Sequence, residues 1–408
     1  MEKLKETQNA DGSWAWFHGM KGNVYITESI MEQLVRLNAM IGKQNETRDM
    51  LDRAFKYIEK EGSSSLQYLY LCSLDGRQPA DKFKKESKKL IKELKKDNGG
   101  YSIYQRAISA VVMQHMGEEK MAADLAESLK QYTVYTDEMG RYYDSRRAGY
   151  SWLDYKIPAQ VAAIEALQDV TPADKQTITE MQRWLLQEKR TQYWLTTLNS
   201  ANAVYAFLRG QNVLQENQQP TRLLVDGKQI NPVEENISGL GYIKVQVPVT
   251  TQPKSFTADK KNDGTSWGAI FAQYMQQVDD VEQNGEYLQV KREIIYNGKE
   301  APKVGDKVKV RITLTASRDL DFVQVTDYRA ACLEPVNQMS SYRWGYYTST
   351  RDTNTLYCID MLSKGKHVFE TEYYVDREGT YRSGLVKAQC AYAPEYSATG
   401  KTYVMKVE

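Results

Sequence analysis

The stretch Asp11-Gly12-Ser13-Trp14-Ala15-Trp16 decides the fold, because it is the first of five short aromatic loops that each precede a helical pattern. The other four loops also combine Gly, Ser or Thr with aromatic residues, and they lie at 62–68, 99–104, 149–155 and 191–195. Successive loops are about 35 to 52 residues apart, which is the length of one helical hairpin with its connections. Five hairpins in series predict a toroid or solenoid of paired helices.

The segments between the loops have the apolar spacing of amphipathic helices. In residues 26–41 an apolar residue recurs every three or four positions, and Gly42 follows as a stop signal. Residues 50–58 repeat the pattern, and Thr171-Pro172 predicts an N-cap with proline at the first helical position. Residues 81–97 hold eight lysines, and a nucleic-acid or membrane partner is one interpretation. A solvated helix face is favoured, because four acidic residues interleave and no arginine accompanies the lysines.

After residue 210 the periodicity changes from helical to alternating. Residues 211–219 are polar and end at Pro220, as expected of a linker. Alternation with period two predicts strands, with turns at Asp226-Gly227 and Asn297-Gly298 and one helix or long strand at 267–278. The predicted strands lie at 223–225, 242–247, 288–294, 308–314, 322–325, 355–361, 368–375, 385–392 and 402–407. The strands from residue 288 onward predict an antiparallel β-sandwich of about 120 residues. The expected fold class is therefore multidomain α and β, an α/α toroid of helical hairpins followed by antiparallel β-sandwich structure.

Composition excludes several functional classes. The chain of 408 residues carries 54 Lys and Arg against 53 Asp and Glu, so no strong positive field points to a nucleic acid. Apolar residues make up 41% and no window reaches the length of a membrane span, as in soluble globular chains. Residues 1–6 are charged and show no signal peptide.

No motif for a metal or a cofactor is present. The four cysteines at 72, 332, 358 and 390 are too few for a disulfide scaffold and show no Cys-x-x-Cys spacing. Buried thiols are one interpretation, and a bridge between Cys358 and Cys390 stays open for an exported protein. The three histidines lie far apart: His115 is expected in the core, His18 and His367 in solvent. Dinucleotide, hydrolase-elbow and phosphate-loop patterns do not occur, so no cofactor and no metal are expected.

A few residues could line a cleft in the toroid. Asp154 is the best acid candidate, because it stands in an aromatic loop that could line a sugar cleft, whereas Asp279-Asp280 is interpreted as a charged helix end. No catalytic set can be assembled around it. The candidate surface or cleft residues are Trp14, Trp16, His18, Tyr150, Trp152 and Asp154.

Taken together, these residues resemble the C-terminal part of a bacterial alpha-2-macroglobulin family protein. Residues 8–17 with 25–27 resemble the repeat of the family's thioester-type toroid, and 266–274 resemble the segment that closes the β-region around it. Residues 327–338, 364–370 and 391–396 are similar to the terminal macroglobulin sandwich. The resemblance implies a toroid at 1–210 that is incomplete at its N-terminus, a β-rich CUB-like or linker region at 211–285, and a macroglobulin-like sandwich at 286–408.

The resemblance also implies a function. Complete members of the family trap proteases, in part through a Cys-x-Glu-Gln thioester, whereas this chain has only Cys332-Leu333-Glu334-Pro335. We therefore expect a non-catalytic part of a protease inhibitor or host-defence protein, without a thioester in this chain. Its expected partners are proteases and other domains of the same long chain, and no nucleic acid. Its expected location is extracytoplasmic: periplasmic with or without an upstream lipid anchor, or secreted.

The alternative is an enzyme. A toroid followed by a β-sandwich is also the architecture of polysaccharide lyases, and Gln8-x-x-x-Gly12-x-Trp14 resembles the repeat of triterpene cyclases. The Tyr/His/Asn or Arg constellation of a lyase and the Asp-rich motif of a cyclase cannot be found, so a non-enzyme is favoured. We further expect the chain to be the tail of a longer exported polypeptide.

Overall fold

The structure is a computed structural model, and it describes residues 1–96, 100–144, 156–192, 194, 196–209, 221–231, 245–248, 253–261, 266–298 and 300–408. The chain divides into two compact units. The first comprises Met1–Trp184 with Thr196–Gly268, and the second comprises Leu185–Leu195 with Ala269–Glu408.

Helices build most of the first unit. In the described part of the chain they are α1 (Glu2–Glu6), α2 (Val24–Ile41), α3 (Asn45–Glu61), α4 (Ser65–Asp75), α5 (Asp81–Lys96), α6 (Ile103–His115), α7 (Glu119–Gln131), α8 (Lys156–Val170), α9 (Lys175–Thr191) and α10 (Thr197–Leu208). A small hairpin of β1 (Val134–Thr136) and β2 (Gly140–Tyr142) follows α7. The predicted helical first half is confirmed.

Five helices form the inner wall of a ring. Helices α2, α4, α6, α8 and α10 pack against one another in this order, and α10 returns to contact α2. Each inner helix follows one of the five loops predicted from the sequence, and Asn23, Ser64, Ser102 and Thr196 cap four of them by accepting a backbone N–H. The fold is therefore an α/α toroid. The contact of α10 with α2 joins the two ends of this row of inner helices, and the incompleteness expected on the N-terminal side of the toroid stays a prediction.

The predicted cap of α9 is wrong by three residues. Asp174 is the cap, since its Oδ1 accepts the N–H of Thr177 at 3.2 Å. Thr171 instead extends the end of α8, because its N–H and its hydroxyl both donate to the Leu167 carbonyl. Pro172 lies in the turn between the two helices.

A three-stranded sheet lies in the region predicted to be β-rich. Its strands are β3 (Arg222–Val225), β4 (Lys228–Ile230) and β5 (Phe256–Asp259), in the order β4-β3-β5. Asp226 and Gly227 have φ of 48° and 76°, the two left-handed positions of a type I′ hairpin turn, which confirms the predicted turn.

Two strand predictions fail in this region. Of the strand predicted at 242–247, residues 242–244 lie outside the described residues, and 245–247 are not a strand. Residues 266–277 form neither a helix nor a strand, and only a 3-10 turn follows at Val278–Asp280. Both alternating faces of this segment are apolar, but no described strand pairs with its backbone, and Phe271 and Tyr274 stay 60% and 76% exposed.

The second unit contains an antiparallel β-sandwich. One sheet has the order β10-β11-β12-β8-β15-β16, the other β6-β7-β13-β9, and β14 pairs with β17. The strands are β6 (Leu288–Ile295), β7 (Lys307–Ala316), β8 (Leu320–Tyr328), β9 (Leu333–Pro335), β10 (Ser341–Arg343), β11 (Tyr346–Thr350), β12 (Asn354–Leu362), β13 (Gly365–Val375), β14 (Gly379–Arg382), β15 (Val386–Cys390), β16 (Ser397–Gly400) and β17 (Val404–Val407). Alternate residues of β7 and β8, such as Val310, Ile312, Val323 and Val325, are buried in one core, as the period-two pattern predicts.

The geometry excludes a bridge between Cys358 and Cys390. Cys358 on β12 is opposite Gln324 of β8, whereas Cys390 on β15 is opposite Val323 of the same strand. The two cysteines therefore lie on either side of β8 and point to opposite faces of the sheet, which no disulfide can span. All four thiols are free.

Candidate functional site

The first aromatic loop is held by the three residues of its repeat motif. The Gln8 amide donates to the carbonyls of Gly12 and Met50 at 2.9 and 3.0 Å. Gly12 has a φ of 92°, and a Cβ there would lie 2.3 Å from the Arg53 carbonyl oxygen. Trp14 is 2% exposed, and its indole N–H donates to the Leu4 carbonyl at 3.0 Å. Trp14 is thus a core residue, and its assignment as a surface or cleft aromatic is wrong.

The tip of the same loop is open to solvent. Trp16 is 58% exposed and lies over the ring of Tyr25, with 6.3 Å between the ring centroids. Phe17 and His18 are exposed beside it. A ligand-binding role for Trp16 and His18 stays a prediction. Tyr150, Trp152 and Asp154, the other candidates, lie outside the described residues.

The Cys332 to Pro335 segment is part of the sandwich core. Cys332 is fully buried, and burial raises the pKa of its thiol. Pro335 is the last residue of β9 and is opposite Tyr373 of β13. The thiolate that a thioester requires is therefore disfavoured, and the position of the glutamine carboxamide is occupied by a proline ring.

His115 is not a core residue. It ends α6 with its side chain 43% exposed, and its Nε2 is 3.9 Å from Oδ2 of Asp169. The buried residues of α6 end at Met113, so the last residue of the helix is exposed. The Nε2–H of His367 donates to the Ser363 carbonyl at 2.7 Å.

The largest polar constellation of the ring was missed by sequence reasoning. It lies on the inner helices and is centred on Arg36 of α2, whose side chain is 2% exposed. Arg36 donates to Glu165 Oε2 at 2.8 and 3.1 Å, to Asn202 Oδ1 at 2.9 Å and to the Tyr70 hydroxyl at 2.9 Å. It also forms an ion pair with Glu32 one turn before it. Four of the five inner helices meet at this one guanidinium.

The remaining inner helix joins the constellation through Glu32. The Tyr104 hydroxyl of α6 donates to Glu32 Oε2 at 3.4 Å, and the Gln67 amide of α4 lies 3.5 Å from the same oxygen. Together Arg36, Glu32, Glu165, Tyr70, Tyr104, Gln67 and Asn202 form what we call the ring hub. The sequence carries no signal for it, because Glu32 and Arg36 lie on the side of α2 away from the apolar positions 26, 30, 34, 37 and 41.

The ring hub contains two carboxyl groups, of Glu32 and Glu165, and one guanidinium, of Arg36. Burial raises the pKa of Glu32, the nearby Glu165 raises it further, and Arg36 only partly opposes this. Burial by itself lowers the pKa of Arg36, but Glu32, Tyr70 and Glu165 outweigh it and raise that pKa well above its ordinary value. The guanidinium therefore keeps its charge, and Glu32 holds a proton more readily than an ordinary glutamate does.

A small cavity of about 110 Å³ opens next to the ring hub. Its lining includes Arg36, His115, Asp169, Tyr205 and Arg209, near the C-terminal ends of four inner helices. Sites for drug-sized ligands are usually about 300–1,000 Å³. This cavity suits a few water molecules rather than a sugar ring. Among the described residues no group of three His, Cys, Asp or Glu side chains could hold a metal ion.

The comparisons with known proteins point to one family. Residues 278–395 match the family model of the bacterial alpha-2-macroglobulin MG10 domain, which covers most of the sandwich. The resemblance found in the sequence is confirmed by this match. A search of curated proteins finds no significant match. Within the described residues, no helix is long and apolar enough to cross a membrane.

The solved structures similar to the chain include several bacterial alpha-2-macroglobulins. The trypsin-activated protein from Escherichia coli is 14% identical, with a TM-score of 0.46 over 100% of this chain and 29% of that chain. The native E. coli protein from domain MG7 to the C-terminus is 15% identical, with a TM-score of 0.38 over 100% of this chain and 66% of that one. The Salmonella protein reacted with methylamine is 14% identical, with a TM-score of 0.37 and coverage of 99% and 27%. This chain thus spans 27–66% of the length of these solved chains.

Proposed function

We propose that this chain, which belongs to the bacterial alpha-2-macroglobulin family through its MG10 domain, is a non-catalytic part of a protease inhibitor or host-defence protein. The observation that carries the proposal is the family match over residues 278–395. We place the protein outside the cytoplasm, where the proteases that such an inhibitor meets are found. No observation on the described residues favours the alternative of a polysaccharide lyase.

Within this function, the chain itself forms no thioester. A thioester joins a cysteine to a glutamine three residues later, and the residues three after the four cysteines are Asp75, Pro335, Met361 and Ala393. The burial of Cys332 and the strand pairing of Pro335 support the same conclusion.

Reaction with methylamine tests this part of the proposal. The intact mass of the chain should not change after treatment, and no new thiol should appear. Alkylation after denaturation, without a reductant, should label four thiols before and after treatment, because all four cysteines are free. A mass gain of one methylamine with release of one thiol would contradict the proposal.

Protease trapping tests the inhibitory role. The natural gene product that contains these residues should be incubated with trypsin or elastase, the proteases that activate the E. coli protein. Digestion of a large protein substrate should then slow, while cleavage of a small peptide substrate continues, because a trapped protease is shielded only from large molecules. The same protease assayed without the gene product is the control, since it digests both substrates at its full rate. Unchanged digestion of the large substrate would count against an inhibitor.

A further inference from the structure

Helix α5 concentrates positive charge on its solvent side. Its apolar residues Phe83, Leu90 and Leu94 are 2–6% exposed and face the ring. Six lysines are exposed on the rest of its surface: Lys82, Lys84, Lys85, Lys88, Lys89 and Lys92. We call Lys85, Lys88, Lys89 and Lys92 the lysine face, because their spacing of three, one and three places them on one side of successive turns, over about 10 Å of helix.

This charge is not balanced by the surroundings. Eight lysines against three acids give α5 a net charge of +5, whereas the whole chain carries only +1. Of the three acids, Asp81 binds Lys84 at 2.6 Å, Glu86 accepts a hydrogen bond from Ser65, and Glu93 lies 3.6 Å from Lys89. Within the described part of the chain, Lys85, Lys88 and Lys92 have no carboxylate at ion-pair distance.

We propose that the lysine face binds an anionic lipid surface through its phosphate headgroups. Clusters of four to eight basic residues on an amphipathic helix are typical of this partner, and each lysine near such a surface strengthens binding about fivefold. The apolar side of α5 is used by the ring, so the helix lies on the headgroups and does not insert. This proposal is independent of the inhibitory function.

A lipid surface fits better than a nucleic acid. Nucleic-acid sites use arginine for paired hydrogen bonds and exposed aromatic rings for stacking on bases. Helix α5 has no arginine, and Phe83, its one aromatic residue, is buried. Lysine is a point charge without a preferred geometry, which suits a plane of mobile phosphates.

Sedimentation of the full chain with vesicles tests the proposal. Vesicles of phosphatidylcholine alone should bind little, whereas vesicles with one third phosphatidylglycerol should bind the chain at about 0.1 M salt and release it at about 1 M, where charges are screened within a few ångströms. The variant K85Q/K88Q/K89Q/K92Q should lose several hundred-fold in its partition coefficient, from about fivefold for each of the four lysines.

A matched variant separates the position of the charge from its amount. K228Q/K254Q/K364Q/K366Q removes four exposed lysines elsewhere and should bind the anionic vesicles within about twofold of the unchanged chain, since those lysines form two separate pairs and not one face of four. Equal loss in both variants would overturn the proposal, as would binding to neutral vesicles or retention of binding by the α5 variant. Tighter binding to duplex DNA than to anionic vesicles at the same salt would overturn it in favour of a nucleic acid. Circular dichroism melts confirm that both variants are folded.

Discussion

At the scale of single residues, Arg36 is the decisive side chain of the toroid. A buried ion pair is weak evidence for net stability, because removing two charges from water costs about as much as their attraction returns. Breaking such a pair is different, since it leaves a charge buried without a partner. Arg36 satisfies Glu165, Glu32, Asn202 and Tyr70 at once, so its loss leaves several groups unpaired.

We predict that Arg36→Met destabilises the toroid by about 3–5 kcal/mol, because Glu32 loses its cation in a buried site and Glu165 keeps only Arg209, at 4.0 Å. Urea unfolding followed by helical circular dichroism measures this. Arg48→Met is the matched control: Arg48 is exposed on α3, and its loss should cost less than about 0.5 kcal/mol. Equal stability of the two variants would show that the ring hub is not essential for the ring.

A second residue-scale prediction concerns pH. Because the pKa of Glu32 is raised in the folded protein, the folded state holds its proton more tightly than the unfolded chain. Stability from this group is therefore present at low pH, and it falls as pH rises from the ordinary glutamate value of about 4.3 through the folded pKa. We expect Glu32→Gln to remove this loss, so that its stability relative to the unchanged chain improves as pH rises.

Thermal midpoints of the two proteins between about pH 4 and pH 8 measure this difference. Glu300→Gln serves as the control, because Glu300 is exposed in a loop and should give a parallel curve. A difference between Glu32→Gln and the unchanged chain that does not vary with pH would contradict the prediction.

At the scale of elements, the loops decide how each hairpin enters the ring. Gly12 and Gly19 stand in the same loop, and both have a left-handed backbone, with φ of 92° and 82°. They differ in the room available for a side chain: a Cβ at Gly12 would lie 2.3 Å from the Arg53 carbonyl oxygen, whereas a Cβ at Gly19 would have no atom within 4 Å. This pair separates backbone strain from steric contact.

We predict that Gly19→Ala costs about 1–2 kcal/mol, the usual price of a left-handed residue with a side chain. Gly12→Ala should cost at least about 2 kcal/mol more, because the loop must move away from α3. Urea unfolding of both variants measures the two costs. Similar values would mean that the contact between this loop and α3 gives way easily.

At the scale of the whole molecule, residues 266–277 are the most accessible stretch between the helices and the sandwich strands in the described part of the chain. They have no regular secondary structure, and Phe271, Tyr274 and Met275 are 60%, 76% and 101% exposed. An exposed chain without backbone pairing adapts readily to a protease site.

Brief treatment with chymotrypsin should therefore cut first after Phe271 and Tyr274, and mass spectrometry of the fragments identifies the sites. The double variant Phe271→Ser with Tyr274→Ser should slow this cleavage several-fold, because it removes the preferred side chains without touching a packed element. The sequence also predicts a first cut in the linker at 211–220 or in the polar stretch at 257–265, and this stays a prediction beside the present one. First cuts inside Val24–Ile41 would contradict both predictions, since that helix belongs to the wall of the ring.

The sequence by itself determined the order and type of the main elements. The period of 3.6 at 50–58 and the period of two at 308–314 correspond to α3 and β7, because burial of one face requires that spacing in any fold. The period at 26–41 corresponds to α2, but the face that α2 buries contains Thr27, Met31 and Val35, and of the predicted apolar positions it contains only Leu34. The helix ends at Gly42 and Gly62 and the turn at Asp226-Gly227 could also be predicted from the sequence, because each needs a positive φ that few residues other than glycine adopt. The resemblance of 327–338 and 391–396 to the macroglobulin sandwich predicted the family in the same local way.

Only the tertiary structure decided which residues meet. Glu32, Arg36 and Glu165 look like surface charges in the sequence, yet closure of the ring buries them together from helices more than a hundred residues apart. Packing of the toroid also buries Trp14 and leaves the side chain of His115 43% exposed. The sequence left a bridge between Cys358 and Cys390 open, and the structure excludes it because β8 lies between their strands. The physical reason is common to all of these: periodicity encodes which face of an element is apolar, whereas the identity of its neighbour depends on how all elements pack together.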